Sequence, residues 1–258
     1  MSESRDQKPS RLRRGAYLLP SLFTIGNIFL GFYAIVLGFR GEFERAAVMV
    51  FIAGVIDGLD GRIARLSGTD SDFGREYDSL ADVLTFGATP AVLTFLVVGP
   101  HDFGRLGWLV PLFFLVCVAT RLARYNVQPP NYDARYFVGL PAPAAAGSIG
   151  AILLFAGDRD LPFLTGLPLL GSLLLLGVLM ITTFRYPSFK RFDLRKRWSY
   201  RMALPLAAGL IIIGYDPPVF FLGVSILFVG WPPLAWLLER IGLRRRAVRP
   251  TPREGGAS

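Results

Sequence analysis

Apolar segments long enough to cross a lipid bilayer recur from one end of this 258-residue chain to the other. A helix needs about 20 predominantly apolar residues to span the hydrocarbon core of a membrane. Hydrophobic residues make up 52% of the chain and charged residues only 18%, whereas a soluble domain carries about a quarter of charged residues. The sequence therefore predicts an all-α, polytopic membrane protein.

Hydropathy divides the chain into eight predicted spans, of which the seventh is the shortest. The two ends of the chain are basic and contain little that could be buried, so they are expected to form flexible tails. The predicted spans are residues 17–38, 45–64, 78–99, 105–124, 137–156, 165–184, 203–215 and 217–237.

The distribution of basic residues supports an even number of spans. If both termini lie on the same side of the membrane, that side receives all but four of the 28 Lys and Arg residues. The exceptions are Arg40, Arg45, Arg105 and Arg159. The positive-inside rule then predicts a multi-pass protein of the inner membrane with both termini in the cytoplasm. The net charge of +9 is explained by anionic lipid headgroups, and no nucleic-acid partner is expected.

Four aspartates occupy the edges of the second and third predicted spans. Asp57 and Asp60 are three residues apart, and Asp78 and Asp82 are four apart, so each pair lies on one face of its helix. Carboxylates at the edge of a bilayer repel one another and cost several kcal/mol if they are left uncompensated. Carboxylate oxygen is the ligand that Mg²⁺ and Mn²⁺ prefer. The pattern predicts a site for two divalent cations that could clamp a diphosphate.

Two other interpretations account for aspartates in this position. Asp57 or Asp60 could form salt bridges with Arg62 or Arg65 at the end of the helix, although that explanation suits two aspartates better than four. Carboxylates within a membrane also form the ion sites of ion-coupled transporters. The sequence shows no internal repeat, and all four carboxylates lie near one membrane face, which favours an enzyme.

The spacing of these residues resembles the complete signature of the CDP-alcohol phosphotransferase family: Asp57-x-x-Asp60-Gly61-x-x-Ala64-Arg65, eight residues, then Gly74-x-x-x-Asp78-x-x-x-Asp82. The resemblance implies a core of six transmembrane helices, here followed by two more. It implies that the four aspartates hold Mg²⁺ or Mn²⁺ and that Asp82 is also the general base. The residues that it assigns to the CDP moiety of the donor are Thr24, Gly61, Arg65 and Ser71.

Further stretches are similar to the phosphatidylserine synthase branch of this family. They are Leu19–Phe32, Asp78–Ala91, Arg121–Asn126, Gly139–Ala145 and Phe184–Ser188. One departure is Pro20-Ser21-x-x-Thr24, where relatives often have Pro-Asn-x-x-Thr. This resemblance implies transfer of a phosphatidyl group from CDP-diacylglycerol to L-serine. Membrane lipid and a second copy of the chain, in a homodimer, are the further candidate partners. Glycerol 3-phosphate, inositol phosphate or choline as the acceptor, and an archaeal ether-lipid donor, are the alternatives within the family.

Serine is zwitterionic, so its site needs a cation for the carboxylate and an acceptor for the ammonium group. Arg121 and Arg124 lie one turn apart at the cytoplasmic end of the fourth predicted span, with Asn126 just beyond. A guanidinium group suits a carboxylate because it can bind both oxygens. We therefore expect these three residues to bind the acceptor, although both arginines could instead extend to the membrane interface as anchors.

Together these inferences predict five segments. They are a basic cytoplasmic tail (1–16), the phosphotransferase core (17–184), a basic cytoplasmic loop (185–202), two additional spans (203–238) and a second basic cytoplasmic tail (239–258).

Overall fold

The computed structural model describes residues 11–67, 72–99, 103–127, 136–159, 162–187, 207, 209 and 211–241. Most of these residues are helical. The helices are α1 (Arg11–Phe39), α2 (Phe43–Ser67), α3 (Asp72–Asp82), α4 (Thr89–Val98), α5 (Leu106–Asn126), α6 (Ala142–Asp158), α7 (Leu167–Ile181) and α8 (Pro217–Arg240). A π-helical turn (Val83–Ala88) joins α3 to α4 without a break, and a 3-10 turn (Pro162–Thr165) precedes α7.

Within the described residues, four helical segments are long and apolar enough to cross a membrane: Leu22–Phe39, Phe73–Val98, Leu106–Asn126 and Pro217–Arg240. Two shorter apolar helices cover Ala142–Gly157 and Leu167–Ile181. Large apolar side chains such as Phe29 and Phe32 are exposed on the outside of the molecule, as expected of a surface that contacts lipid. The prediction of a helical membrane protein is confirmed, while the count of eight spans and the core of six helices stay predictions.

The structure also contains a short β ladder that the sequence analysis did not anticipate. Strand β1 (Tyr136–Val138) pairs in antiparallel register with strand β2 (Arg185–Pro187), so the predicted span 137–156 begins as a strand and becomes helical only at Ala142. Gly139 follows β1 with a φ of 80°, and a Cβ atom at this position would lie 2.2 Å from the carbonyl oxygen of Met180. Only glycine fits such a turn, which holds the start of α6 against the end of α7.

Helix α1 packs directly against the π-helical turn. The hydroxyl of Thr85 donates to the backbone carbonyl of Asn27 at 3.1 Å, and the hydroxyl of Thr89 donates to the carbonyl of Gly31 at 3.1 Å. A Cβ atom on Gly31 would lie 2.9 Å from the Cα atom of Thr85, so the backbones approach closely here. These contacts fix the position of α1 along its axis relative to the last turn of α3.

Helix α8 is attached to the other helices at several points. The ring of Phe221 stacks on Phe51 of α2 with 4.3 Å between centroids, and the hydroxyl of Tyr186 on β2 donates to the carbonyl of Val229 at 3.3 Å. Asp216 caps the first turn of α8 and forms an ion pair with Arg159. In the predicted seventh span, residues 207, 209 and 211–215 are helical. Most of the predicted basic loop 185–202 lies outside the described residues, as do residues 1–10 and 242–258 of the two predicted tails.

Candidate metal and catalytic centre

Three of the four predicted aspartates converge in the structure. Asp57 of α2 and Asp78 and Asp82 of α3 each offer a carboxylate oxygen, and these three atoms all lie within 4.8 Å of one another. Asp78 and Asp82 share a face of α3 because they are four residues apart, and α2 brings Asp57 opposite them. Each of the three side chains is partly exposed, so the group is open to a ligand.

Asp60 lies next to this group but has different surroundings. Its side chain is 6% exposed, and one carboxylate oxygen, Oδ2, accepts a hydrogen bond of 3.0 Å from the hydroxyl of Thr24 on α1. The other oxygen, Oδ1, is buried and has no hydrogen-bond partner among the described residues. Asp60 is close enough to Asp78 for their charges to interact. The fourth carboxylate is therefore adjacent to the three that converge, rather than one of them.

The residues of this centre fit divalent cations. The described residues that face the carboxylates include one cation, Arg121, whose charge interacts with Asp82 and Asp57. Among the side chains that the structure describes, this one guanidinium group does not balance four carboxylates. An unpartnered buried oxygen such as Asp60 Oδ1 is costly unless a ligand satisfies it. The donor atoms in the group of three are all carboxylate oxygens, which suit Mg²⁺ or Mn²⁺ better than a soft metal ion.

Asn27 is a further polar residue at this centre, and sequence reasoning missed it. The residue lies on α1, is 1% exposed, and its Nδ2 atom points at Asp82 Oδ1 at a distance of 3.5 Å. The only signal in the sequence was an amide side chain within the apolar first span. Such a residue is expensive in a membrane helix unless it has a partner.

The residues predicted to contact CDP are only partly described. Gly61 and Arg65 belong to the last turns of α2, beyond Asp60, but their side chains lie outside the described part of the structure. Ser71 lies outside the described residues altogether. Thr24 is buried, and the hydrogen bond to Asp60 engages its hydroxyl within the protein. The structure therefore links Thr24 to a carboxylate of the centre, and its contact with the nucleotide stays a prediction.

The three residues predicted to bind the acceptor, Arg121, Arg124 and Asn126, contact different parts of the structure. Arg121 is 9% exposed, faces Asp82, and its Nε atom has no partner among the described residues. Arg124 instead donates to two backbone carbonyls, those of Val138 at 3.1 Å and Ile181 at 3.4 Å, and so connects α5 to β1 and α7. Of the two arginines, Arg121 is the one whose charge interacts with the carboxylates of the centre.

Asn126 belongs to a small polar network at the end of α5. Its Nδ2 atom donates to Glu76 Oε2 at 3.2 Å and to Ser79 Oγ at 3.0 Å, both on α3. Sequence reasoning did not identify Glu76 or Ser79, because their proximity to Asn126 depends on how α3 and α5 pack. The network ties the end of α5 to the helix that carries Asp78 and Asp82.

A profile of the family described as CDP-alcohol phosphatidyltransferase matches residues 17–184, which include all four aspartates. Over 204 residues the chain is 40% identical to a CDP-diacylglycerol–serine O-phosphatidyltransferase of Helicobacter pylori strain J99, covering 78% of this chain and 83% of that protein.

Two more distant relatives have related names. An enzyme of Bacillus subtilis strain 168 with the same name is 32% identical over 173 residues, which cover 67% of this chain and 92% of the relative. An archaetidylserine synthase of Methanothermobacter thermautotrophicus is 33% identical over 171 residues, which cover 66% of this chain and 69% of the relative. All three names contain serine.

Proposed function

The chain belongs to the CDP-alcohol phosphatidyltransferase family, and on this basis we propose that it transfers the phosphatidyl group of CDP-diacylglycerol to L-serine, forming phosphatidylserine and CMP. The observation that carries the proposal is the convergence of Asp57, Asp78 and Asp82, whose oxygens lie within 4.8 Å of one another in a membrane-embedded helical protein. Such a cluster suits a reaction at a diphosphate.

Serine is the acceptor that the relatives favour. The bacterial relatives at 40% and 32% identity are named for transfer to serine, and the archaeal relative is named for an archaetidylserine product. The donor is less narrowly defined by these names, because the archaeal relative differs from the bacterial ones in its lipid. We propose a CDP-diacylglycerol donor since the relative with 40% identity covers most of both chains.

Two divalent cations, Mg²⁺ or Mn²⁺, would be held by Asp57, Asp60, Asp78 and Asp82. When bound, they would balance the carboxylates and polarise the diphosphate of the donor. Gly61, Arg65 and Ser71 would contact the CDP moiety beside them. The buried Arg121, with an unpartnered Nε atom, would bind the serine carboxylate as a bidentate partner. Arg124 and Asn126 would complete or support the acceptor site.

Asp82 acts as the general base of the proposed reaction. Its carboxylate takes the proton from the serine hydroxyl, whose oxygen forms a bond to the β-phosphorus of CDP-diacylglycerol. The bond from that phosphorus to the bridging oxygen breaks, and the electron pair leaves with CMP. The positive charge of Arg121 lies close to Asp82, where it can orient the zwitterionic acceptor towards the base.

For the topology, we propose that the enzyme lies in the inner membrane, crosses it eight times and has both termini in the cytoplasm. The core would be residues 17–184, with the tails 1–16 and 239–258 and the loop 185–202 on the cytoplasmic side and two additional spans in 203–238. The exposed apolar face of α8 and the positive-inside rule support this arrangement.

The proposal is tested by reconstituting the purified chain in vesicles with CDP-diacylglycerol and labelled serine. We expect labelled phosphatidylserine and CMP in equal amounts, and no product after a chelator removes divalent cations. Uptake of labelled serine into the vesicle lumen without formation of lipid or CMP would instead indicate a transporter.

A further inference from the structure

Asn27 is buried in the middle of α1 with a polar side chain that packing does not explain. The residue is 1% exposed, and its Oδ1 atom has no hydrogen-bond partner among the described residues. A buried amide oxygen without a partner costs about 1–3 kcal/mol. A leucine of similar shape would avoid that cost, so the amide must contribute something else at this position.

The amide nitrogen of Asn27 points towards the carboxylate of Asp82. Asn27 Nδ2 lies 3.5 Å from Asp82 Oδ1, and the two residues are on different helices. This distance is long for a hydrogen bond, but hydrogen bonds of catalytic groups often shorten when substrate binds. A carboxylate that accepts a hydrogen bond on one oxygen is held in one rotamer, which also fixes the direction of its other oxygen.

The backbone around Asn27 is held in register with the helix that carries Asp82. Its carbonyl oxygen accepts from the hydroxyl of Thr85, three residues after Asp82, and the next turn of α1 accepts from Thr89. Asp82 is also the last residue before the π-helical turn, a geometry often found at functional sites. Three side-chain contacts therefore connect α1 to this turn and to the residues on either side of it: those of the Thr85 hydroxyl, the Thr89 hydroxyl and the Asn27 amide.

From these contacts we infer that Asn27 is the positioning residue for Asp82. Its Nδ2 group holds Asp82 Oδ1 so that the carboxylate faces the acceptor hydroxyl. The bond from Thr85 holds the backbone of Asn27 itself, and the bond from Thr89 to Gly31 holds the next turn of α1. The inference rests on the proposed role of Asp82 as general base. Loss of the amide therefore changes the orientation of the base and leaves the donor site on α2 in place.

Two substitutions test the role of the Nδ2 donor. Asn27→Leu removes the donor without adding charge, and Asn27→Asp keeps the size of the side chain while replacing the donor with an acceptor. We expect kcat for CMP release to fall about 100-fold in both variants, the effect of misplacing a reacting group by roughly 1 Å. The dissociation constant for CDP-diacylglycerol in Asn27→Leu, measured directly by titration, is expected to change by less than about threefold.

Thr94→Val is the matched control. Thr94 on α4 is fully buried, and its hydroxyl has no partner among the described residues, so the substitution also removes an unpartnered polar atom from the same group of helices. The control is expected to keep both kcat and donor binding.

Two results would overturn the inference. One is a kcat within about threefold of the parent in both Asn27 variants. The other is a parallel loss of donor binding and kcat in Asn27→Leu, which would make Asn27 a residue of the donor site or of the helix packing. If the parent and Thr94→Val both fail to release CMP, the proposed function itself is wrong.

Discussion

The hydroxyl of Thr24 on α1 donates a buried hydrogen bond of 3.0 Å to the carboxylate of Asp60 on α2. These residues are 36 positions apart in the chain, and the bond holds the carboxylate that lies beside the three converging aspartates. Helix α1 therefore contacts the centre twice, through Thr24 at Asp60 and through Asn27 at Asp82. Contacts of this kind keep the oxygens of a ligand group in place.

Substitution of Thr24 with valine should weaken cation binding. The substitution leaves Asp60 Oδ2 without its hydrogen bond, and loss of a partner by a buried group costs about 1–3 kcal/mol. We expect the Mg²⁺ or Mn²⁺ concentration for half-maximal CMP release to rise by about tenfold, which corresponds to roughly 1.4 kcal/mol. Thr24→Ser keeps the hydroxyl and should stay close to the parent. An unchanged metal dependence in Thr24→Val would show that the hydrogen bond does not support cation binding.

Substitutions of the aspartates should separate cation binding from proton transfer. Asp57→Asn and Asp78→Asn are expected to abolish turnover by removing a charged ligand. Asp82→Asn should also abolish turnover, because an amide cannot accept the proton, yet it should keep measurable binding of CDP-diacylglycerol. Binding and CMP release measured on the same preparations check this. Turnover at the parental rate in Asp82→Asn would remove Asp82 from the role of base.

Arg121→Lys and Arg124→Lys should have different effects. Lysine keeps the charge but loses the planar group that binds two oxygens. For Arg121, which faces Asp82, we expect KM for serine to rise about tenfold, with little change in KM for CDP-diacylglycerol. For Arg124, which donates to the carbonyls of Val138 and Ile181, we expect mainly a lower thermal stability. An unchanged KM for serine in Arg121→Lys would contradict the assignment of the serine carboxylate to Arg121.

The topology can be tested without measuring activity. Cysteine labelling or reporter fusions at the two ends should place Met1 and Ser258 on the cytoplasmic side, since nearly all basic residues then lie on that side. Termini found on opposite sides of the membrane would rule out an even number of spans.

Much of the centre could be predicted because it depends on spacing within single helices. Asp57 and Asp60 are one turn apart, as are Asp78 and Asp82. In the structure, Asp57 lies close to both Asp78 and Asp82. The contacts of Thr24, Asn27 and Asn126 could not be predicted, because they join residues 36, 55 and 47–50 positions apart and depend on how helices pack.

The short strands β1 and β2 were also beyond sequence reasoning. Three residues are too few to show an alternating pattern. The pairing of Tyr136–Val138 with Arg185–Pro187 also depends on how the helices between and around them pack. Arg124 could be singled out by its charge, but its bonds to Val138 and Ile181 exist only in that packed arrangement.

Serine transfer is tested best by CMP release from CDP-diacylglycerol, measured on the purified chain in parallel with L-serine, glycerol 3-phosphate, inositol phosphate and choline. We predict that serine alone supports release, that phosphatidylserine forms in equal amount, and that chelation of divalent cations stops the reaction. Release that requires one of the other alcohols, or no release with any acceptor in the presence of Mg²⁺ or Mn²⁺, would contradict the proposal.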